Sequence, residues 1–325
     1  MTVINGIEID NIDYKVNDIK CAIQNNDPIE EKLHVILVIS NPCLYAKRYI
    51  LFKEFIKRFD EEELNVILYV VELCYGSQKF LITTPKNRRH LQLRTEVPIW
   101  HKESMINMGV KLLPNNYKAF AWIDADIEFD STSWATDTLK ILNGSKDVVQ
   151  LFSHCVDMDK DKSTLRVFNG FGYSFAKQKN YTLKGNDFWH PGFAWAMTRK
   201  TYERIGGLYD KGILGSGDNI MATSFIHKVD HFLNPLYTPE YNKSMTDYQE
   251  RVKGLRIGYT PGVIRHHYHG QKKNRNYTER WTILMEHAYN PELHITYENG
   301  LLVSRINNAF ASDILNYFQE RKEDD

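Results

Sequence analysis

The sequence has few of the features that mark secreted, membrane-spanning or nucleic-acid-binding proteins. Its four cysteines lie far apart in 325 residues and form no C-x-x-C pair. A disulfide framework or zinc knuckle is therefore not expected, and a reducing compartment fits best. No apolar run approaches the roughly 18–20 residues that span a bilayer. The N-terminus is polar and acidic, unlike a signal peptide. We therefore expect a cytoplasmic protein without a transmembrane segment.

An excess of charge of one sign is also absent. Lysine plus arginine and aspartate plus glutamate each number 41, so the formal net charge is zero. A dedicated nucleic-acid-binding protein should carry a basic excess, so we expect no nucleic-acid partner. The composition gives no indication of an oligomeric state.

Two nucleotide-binding signatures are missing as well. No G-x-G-x-x-G follows the first predicted strand, and no G-x-x-x-x-G-K-[ST] occurs in the chain. These absences argue against a dinucleotide fingerprint and against a P-loop.

Alternating strands and helices are present from residue 34 onward. The runs HVILVIS (34–40), NVILYVVEL (65–73) and AFAWI (119–123) predict buried strands. Helical spacing over 44–59 and 100–114 places a helix before the second and third strands, which predicts a mostly parallel sheet flanked by helices. We divide the chain into four predicted segments: a lead-in (1–32), a nucleotide-binding half (33–130), an acceptor and catalytic half (131–290) and a C-terminal helical tail (291–325).

Polar side chains stand where the first two strands end. Ser40 and Asn41 follow the first strand, and Glu72 lies at the end of the second. Ligands of open parallel sheets bind beyond the carboxyl ends of the strands. These residues are therefore candidates for holding a nucleotide, although ordinary loop chemistry would explain each of them.

The third strand ends in acids spaced by two: Asp124, Asp126 and Glu128. Acids at alternate positions of a strand end point to one face. Two such carboxylates suit a hard divalent cation and its phosphate ligands. The alternative is an acidic, solvated turn, and we interpret Glu128 as structural.

A glycine-rich stretch supplies another acid. Gly192 and the small residues after it suggest backbone packed close to a ligand. In GILGSGDNIM, Asp218 follows three closely spaced glycines. Asp218 could cap the following helix, or it could project into a pocket as a catalytic or hydroxyl-binding carboxylate.

Histidines and basic residues cluster late in the chain. In VIRHHYHGQKK, His266, His267 and His269 are candidate metal ligands. Gly270 followed by Lys272 and Lys273 suggests a diphosphate clamp. Strand alternation would place His267 and His269 on one face and His266 on the other, so the choice among the three stays open. A surface histidine cluster is the alternative.

Two further stretches complete the prediction. Residues 157–189 are mixed in character and predict a mobile excursion, partly a lid. Residues 303–325 predict a helix with a charged, frayed end.

In this order, the motifs resemble those of GT-A glycosyltransferases, over about residues 34–285. The resemblance implies a Rossmann-like GT-A sheet in a single large domain. It also implies a hexosyltransferase that uses a UDP-sugar donor, Mn²⁺ or Mg²⁺, and a glycan or glycoconjugate acceptor. Asp126 would bind the metal, Asp124 the ribose or sugar and possibly the metal, and Lys272 and Lys273 the diphosphate.

Particular motifs are similar to particular families. WHKESMINMG, with Lys102 and Asn107, resembles the helix before the D-x-D strand of β-1,4-galactosyltransferases, where an Arg helps to hold the nucleotide. Asp218 followed by Asn219, and VIRH with His266, are closer to polypeptide GalNAc-transferases. HYHGQKK resembles glycogenin-like enzymes and favours His267. Asp218 would be the general base of an inverting enzyme or would position sugar hydroxyls in a retaining one.

Three other functions fit the sequence less well. A nucleotidyltransferase would use similar acids but lacks its glycine-rich basic signature here. A catalytically silent carbohydrate-binding protein would not need the intact acids and histidines. A metal hydrolase would need further ligands near the histidine cluster.

Overall fold

The computed structural model describes residues 32–62, 65–182, 188–275 and 280–325, together with two short strands near the N-terminus. The rest of the predicted lead-in, including Cys21, lies outside the described residues. Cys43, Cys74 and Cys155 are free thiols. Within the described part of the chain, no helix is long and apolar enough to cross a membrane.

Strands and helices alternate along most of the chain. The strands are Val3–Ile4 (β1), Ile7–Glu8 (β2), Leu33–Ser40 (β3), Val66–Tyr75 (β4), His90–Thr95 (β5), Ala119–Ile123 (β6), Ile127–Phe129 (β7), Val148–Gln150 (β8), His154–Met158 (β9), Thr164–Asn169 (β10), Ala194–Thr198 (β11), Ile257–Tyr259 (β12), Val263–His266 (β13), Ile295–Glu298 (β14) and Leu301–Ser304 (β15). The helices are Ala46–Glu62 (α1), Lys102–Val110 (α2), Trp134–Leu142 (α3), Phe171–Ala176 (α4), Arg199–Ile205 (α5), Gly217–Phe225 (α6), Pro239–Arg251 (α7), Arg280–Glu286 (α8), Pro291–His294 (α9) and Asn308–Glu320 (α10).

A seven-stranded sheet organises the described residues, in the order β12-β8-β11-β6-β3-β4-β5. Neighbouring strands are parallel except at β11, which runs antiparallel to both β6 and β8. The predicted α/β class and mostly parallel central sheet are thereby confirmed.

A second sheet lies beyond the end of β6. Its order is β10-β9-β13-β7, with β13 parallel to β9 and antiparallel to β7. Because β7 follows β6 after a three-residue turn, the second sheet brings the end of β13 next to the end of β6. The late histidines and the D-x-D acids therefore meet at one place.

Alternation along β3 divides the core into two layers. Val35 and Leu37 belong to the buried cluster that includes Phe55 of α1, whereas Ile36 belongs to the opposite cluster with Ile106 of α2. A strand buried on both faces by helices has the continuous apolar sequence seen here.

Helix α2 packs unusually close to the sheet at Gly109. A Cβ atom at Gly109 would lie 2.6 Å from Ile36 Cγ2 and 3.1 Å from Val71 Cγ2. Only glycine permits this approach. The close packing sets the N-terminal end of α2, with Lys102, against the end of β6.

Two stretches differ from their predicted character. Residues 157–189, expected to form a mobile excursion, contain the end of β9, strand β10 and helix α4, while 183–187 lie outside the described residues. The predicted C-terminal helical tail contains the β14–β15 hairpin as well as helices. Its charged end is packed rather than frayed, because Arg321 and Glu323 are 7% and 1% exposed.

Candidate metal and nucleotide site

The D-x-D acids lie in a turn that is tied at both ends. The Asp124 backbone N–H donates to the Phe193 carbonyl at 2.7 Å, and the Asp126 carbonyl accepts from the His267 N–H at 2.7 Å. The acids therefore leave the strand at Ile123 and occupy a fixed turn, rather than alternating along the strand itself.

Asp126, His266 and His269 converge. His269 Nε2 lies 2.7 Å and His266 Nε2 3.6 Å from Asp126 Oδ2, and one ligand atom from each residue lies within 4.8 Å of the others. Asp126 Oδ1 and His266 Nε2 are buried and have no hydrogen-bond partner among the described residues. Buried polar atoms are rarely left unpaired. A carboxylate and an imidazole with unused ligand atoms, beside a second imidazole, fit a divalent cation.

Asp157 orients the first of these histidines. Its Oδ1 lies 2.8 Å from His266 Nδ1, and the carboxylate and imidazole are 2% and 4% exposed. An Nδ1–H that donates to the carboxylate leaves the Nε2 lone pair facing Asp126. Metal-binding histidines usually have such a partner. The sequence analysis did not identify Asp157, since it lies in an apolar-polar strand, β9, far from the histidines along the chain.

His267 lies apart from this cluster. Its Nε2 is 3.2 Å from Arg58 Nη1 and 3.4 Å from Glu128 Oε2. Strand β13 ends at His266, so the alternation used to group His267 with His269 does not continue, and His269 returns to the side of His266. Glu128, which we interpreted as structural, pairs with Arg58 and His267 outside this cluster.

The charge states of two cluster members suit a metal site. Burial alone would raise the pKa of Asp126, but His269 and His266 lower it well below its usual range. Burial, with the Arg275 guanidinium, lowers the pKa of His269 to about 4. An ionised carboxylate and a neutral imidazole are the forms that bind metals.

Lys102 pairs with the other acid of the turn. Its Nζ contacts Asp124 Oδ1. Burial alone would lower the pKa of Lys102, but Asp124, then Asp218 and Glu103, raise it. Asp124 and Lys102 therefore form an ion pair at the end of β6. Asn107, the other polar residue predicted on this helix, instead binds Leu208 N and O at 2.9 and 3.1 Å.

Asp218 stands at the start of α6, beside Gly192. Its Oδ1 accepts from the Asn219 N–H at 2.8 Å. A Cβ atom at Gly192 would lie 3.0 Å from Asp218 Oδ2 and 3.0 Å from His190 Cε1. The sequence predicted backbone packed close to a ligand at Gly192, and the structure places this carboxylate and a histidine ring against it.

Glu103 is a further carboxyl that the sequence analysis missed. It is 3% exposed, and a Cβ atom at Gly217 would lie 2.5 Å from its Oε1. Burial raises the pKa of Glu103 to about 8 against the lowering effect of Lys102, and Asp218 adds to the rise. Its only sequence signal was a charged position among the apolar residues of helix α2.

An open cavity joins Asp126, His266 and His269, the candidate metal cluster, to the end of β3. Its volume is about 170 Å³, whereas one water molecule needs roughly 10–15 Å³, so it can hold a ligand much larger than an ion. The lining residues are Val38, Ile39, Ser40, Arg48, Leu51, Phe52, Trp100, Lys102, Asp124, Ala125, Asp126, His269, Arg321 and Glu323.

The predicted nucleotide residues separate into two groups. Ser40 lines the cavity with Lys102 and Asp124. Asn41 is buried and bonds the Tyr45 backbone at 2.8 and 2.9 Å. Glu72 accepts from the Leu81 and Thr83 backbones, each at 2.8 Å. Asn41 and Glu72 thus fix loops and do not line the cavity.

The basic segment after the histidines forms a 3₁₀ turn, Lys272–Arg275. Arg275 Nη2 lies 2.9 Å from His269 Nε2. Lys273 is exposed, and the side chain of Lys272 lies outside the described part of the chain.

Comparison with known proteins gave distant structural likenesses alone. No family model matches this chain, and no curated protein does. A solved Drosophila β-1,4-galactosyltransferase 7 mutant, in complex with manganese, UDP-Gal and xylobiose, is 11% identical with a TM-score of 0.41, covering 87% of this chain and 98% of that one. A mannosyltransferase from Pyrobaculum calidifontis, with GDP-Man and Mn²⁺, is 15% identical with a TM-score of 0.41, covering 83% and 68%. At these values the likeness does not bear on the chemistry of this chain.

Proposed function

We propose that this chain is a metal-dependent glycosyltransferase of the hexosyltransferase type, which transfers a sugar from a UDP-sugar to a hydroxyl group of a glycan or glycoconjugate. The observation that carries the proposal is the convergence of Asp126, His266 and His269, with two unpaired ligand atoms, at the edge of a cavity. Ser40 and Lys102 add polar and positively charged groups to the lining of that cavity.

We assign a divalent cation, Mn²⁺ or Mg²⁺, to the cluster. When bound, the ion supplies Lewis-acid stabilisation of the negative charge on a departing diphosphate. The two imidazoles favour Mn²⁺, because Mg²⁺ prefers an octahedral shell of oxygen ligands. Asp126, His266 and His269 would hold the ion, and Asp157 would keep His266 oriented.

Lys102 and Asp124 would act on the donor. Lys102 places a buried positive charge beside the cavity, where it offsets negative charge on the leaving group. Asp124 would accept a hydrogen bond from a ribose or sugar hydroxyl. Ser40, which also lines the cavity, would contact the nucleoside.

Asp218 would act on the acceptor side. As a general base, it takes the proton of the acceptor hydroxyl while that oxygen bonds to the anomeric carbon. The bond between this carbon and the diphosphate oxygen breaks, and its electron pair leaves with UDP. In a retaining enzyme, Asp218 would instead hold a sugar hydroxyl.

The test is a measurement of product release from a panel of UDP- and GDP-sugars with Mn²⁺. Release of UDP or GDP supports glycosyl transfer, whereas release of UTP or GTP together with the sugar 1-phosphate, only when pyrophosphate is added, would indicate a nucleotidyltransferase. Sugar binding without release would indicate a silent binding protein. We expect Asp126→Asn to abolish Mn²⁺-dependent release. Asp130→Asn should not, because among the described residues the Asp130 carboxylate forms only an exposed ion pair with Arg265.

A further inference from the structure

Residues 321–325, called the tail below, contribute to one wall of the cavity beside the candidate metal cluster. Arg321 and Glu323 both line it. A Cβ atom at Gly270 would lie 2.9 Å from Glu323 Cα and 3.0 Å from the Lys322 carbonyl, so the tail backbone packs directly on the segment that follows His269. The tail therefore lies beside the metal cluster.

Contacts with the start of helix α1 hold the tail in place. The Lys322 N–H donates to Tyr45 Oη at 3.1 Å. Asp324 accepts from the backbone N–H groups of Ala46 and Lys47 at 3.1 and 2.8 Å. A carboxylate on the first N–H groups of a helix satisfies donors that the helix leaves unpaired and favours its dipole. The tail thus caps α1 from a distant part of the chain.

Glu323 joins two guanidinium groups at the cavity. Its carboxylate accepts from Arg48 Nε and, at 2.7 Å, from Arg48 Nη2, and its Oε1 forms an ion pair with Arg321 Nη2 at 2.8 Å. Burial alone would raise the pKa of Glu323, but Arg48 and then Arg321 lower it well below its usual range. With two cations and one anion, the group keeps a net positive charge.

The two arginines differ in which of their guanidinium N–H groups lack an acceptor. The remaining Arg48 contact is from Nη1 to the Ser40 carbonyl at 2.7 Å. Arg321 is 7% exposed, and its Nε has no acceptor among the described residues. Its guanidinium lies 5.4 Å from the centre of the Trp100 ring, and this contact helps to hold the planar guanidinium group in place. A buried guanidinium N–H on a cavity wall requires an acceptor.

We propose that Arg321 binds the diphosphate of the nucleotide-sugar donor. This inference rests on the proposed function. A planar guanidinium matches phosphate oxygens in geometry and charge. The location agrees, since Glu323, which holds Arg321, lies 4.0 Å from His269 Nδ1 at the metal cluster. Arg321 thus takes a role that the sequence suggested for Lys272 and Lys273.

The experiment measures UDP binding to the full chain by calorimetry in the presence of Mn²⁺. We expect Arg321→Gln to weaken UDP binding by roughly 10- to 100-fold, the effect of losing a hydrogen bond to a charged group. Mn²⁺ affinity without nucleotide should be unchanged, which a collapsed tail would not allow. Lys322→Gln is the matched control, because Lys322 is the adjacent, exposed cation.

The outcomes separate this inference from the proposed function. If the wild-type protein binds UDP with Mn²⁺ and Arg321→Gln binds it equally well, the role of Arg321 is refuted and the proposed function stands. If the wild-type protein binds neither UDP nor GDP, the proposed function fails, and this inference with it. Should Arg321→Gln not fold, Arg321→Lys is the second variant, because it keeps the charge but loses the planar guanidinium with its paired donors. Wild-type UDP affinity in that variant would refute the inference.

Discussion

Replacing Asp157 by asparagine tests whether His266 is a metal ligand held by its carboxylate partner. The contact between His266 Nδ1 and Asp157 Oδ1 is 2.8 Å, and the residues are 4% and 2% exposed. Water cannot therefore replace the lost charge. Asparagine keeps the size and can still accept a hydrogen bond, so the change removes mainly the negative charge that strengthens the imidazole as a ligand.

The expected loss can be stated as an affinity. Removing the partner of a metal-binding histidine typically weakens metal binding by about 10- to 100-fold, or roughly 1.4–2.7 kcal/mol. Titration of the nucleotide-free protein with Mn²⁺, followed by electron paramagnetic resonance of the free ion, measures this directly. Asp159→Asn is the control, because in the described part of the chain the Asp159 carboxylate accepts only from the backbone of its own turn, at Asp161 and Ser163.

One result would refute the reasoning. If Asp157→Asn is folded and binds Mn²⁺ within twofold of the wild-type affinity, the Asp157–His266 pair does not support a metal site. A loss of metal affinity in Asp159→Asn of similar size would equally remove the argument, since the effect would then not depend on this contact.

Two further predictions concern the same region. His269→Gln should weaken Mn²⁺ binding at least tenfold, whereas His267→Gln should not, because His267 contacts Arg58 and Glu128 instead; equal losses would contradict the assigned cluster. The pKa of Glu103 is raised from 4.5 to about 8, so the folded state keeps a proton that the unfolded state releases. Its contribution to stability is full below about pH 4.5 and is lost as the pH rises towards 8, a difference on the order of 4–5 kcal/mol. The unfolding temperature of the metal-free protein should therefore fall less steeply with rising pH over this range in Glu103→Gln than in the wild type. Parallel curves of unfolding temperature against pH would show that Glu103 is not protonated.

Strands buried on both faces could be predicted closely from the sequence. The strand predicted over 34–40 is Leu33–Ser40, and the one predicted over 119–123 has those bounds. Continuous apolar runs determine such strands locally, because a helix covers each face. The meeting of the D-x-D turn with the late histidines was inferred from their order along the chain, and the structure brings Asp126, His266 and His269 together.

What depends on distant pairing could not be predicted. The choice between His267 and His269 depends on where β13 ends, and a single residue changes the face of every later side chain. Asp157 meets His266 only because β9 pairs with β13. The tail appeared frayed because its charges were read without partners, whereas Arg48 lies 275 positions from Glu323 along the chain.

The two acids of the D-x-D turn differ in their surroundings, which argues for different roles. Asp124 lies against Lys102, and burial raises its pKa, partly offset by that lysine. Asp126 lies against two histidines, which lower its pKa despite burial. Environments that push two neighbouring carboxyls apart usually indicate separate functions. This difference supports Asp126, and not Asp124, as the proposed metal ligand of the pair. Asp124, already neutralised by a cation, suits the uncharged hydroxyl groups of a ribose or sugar.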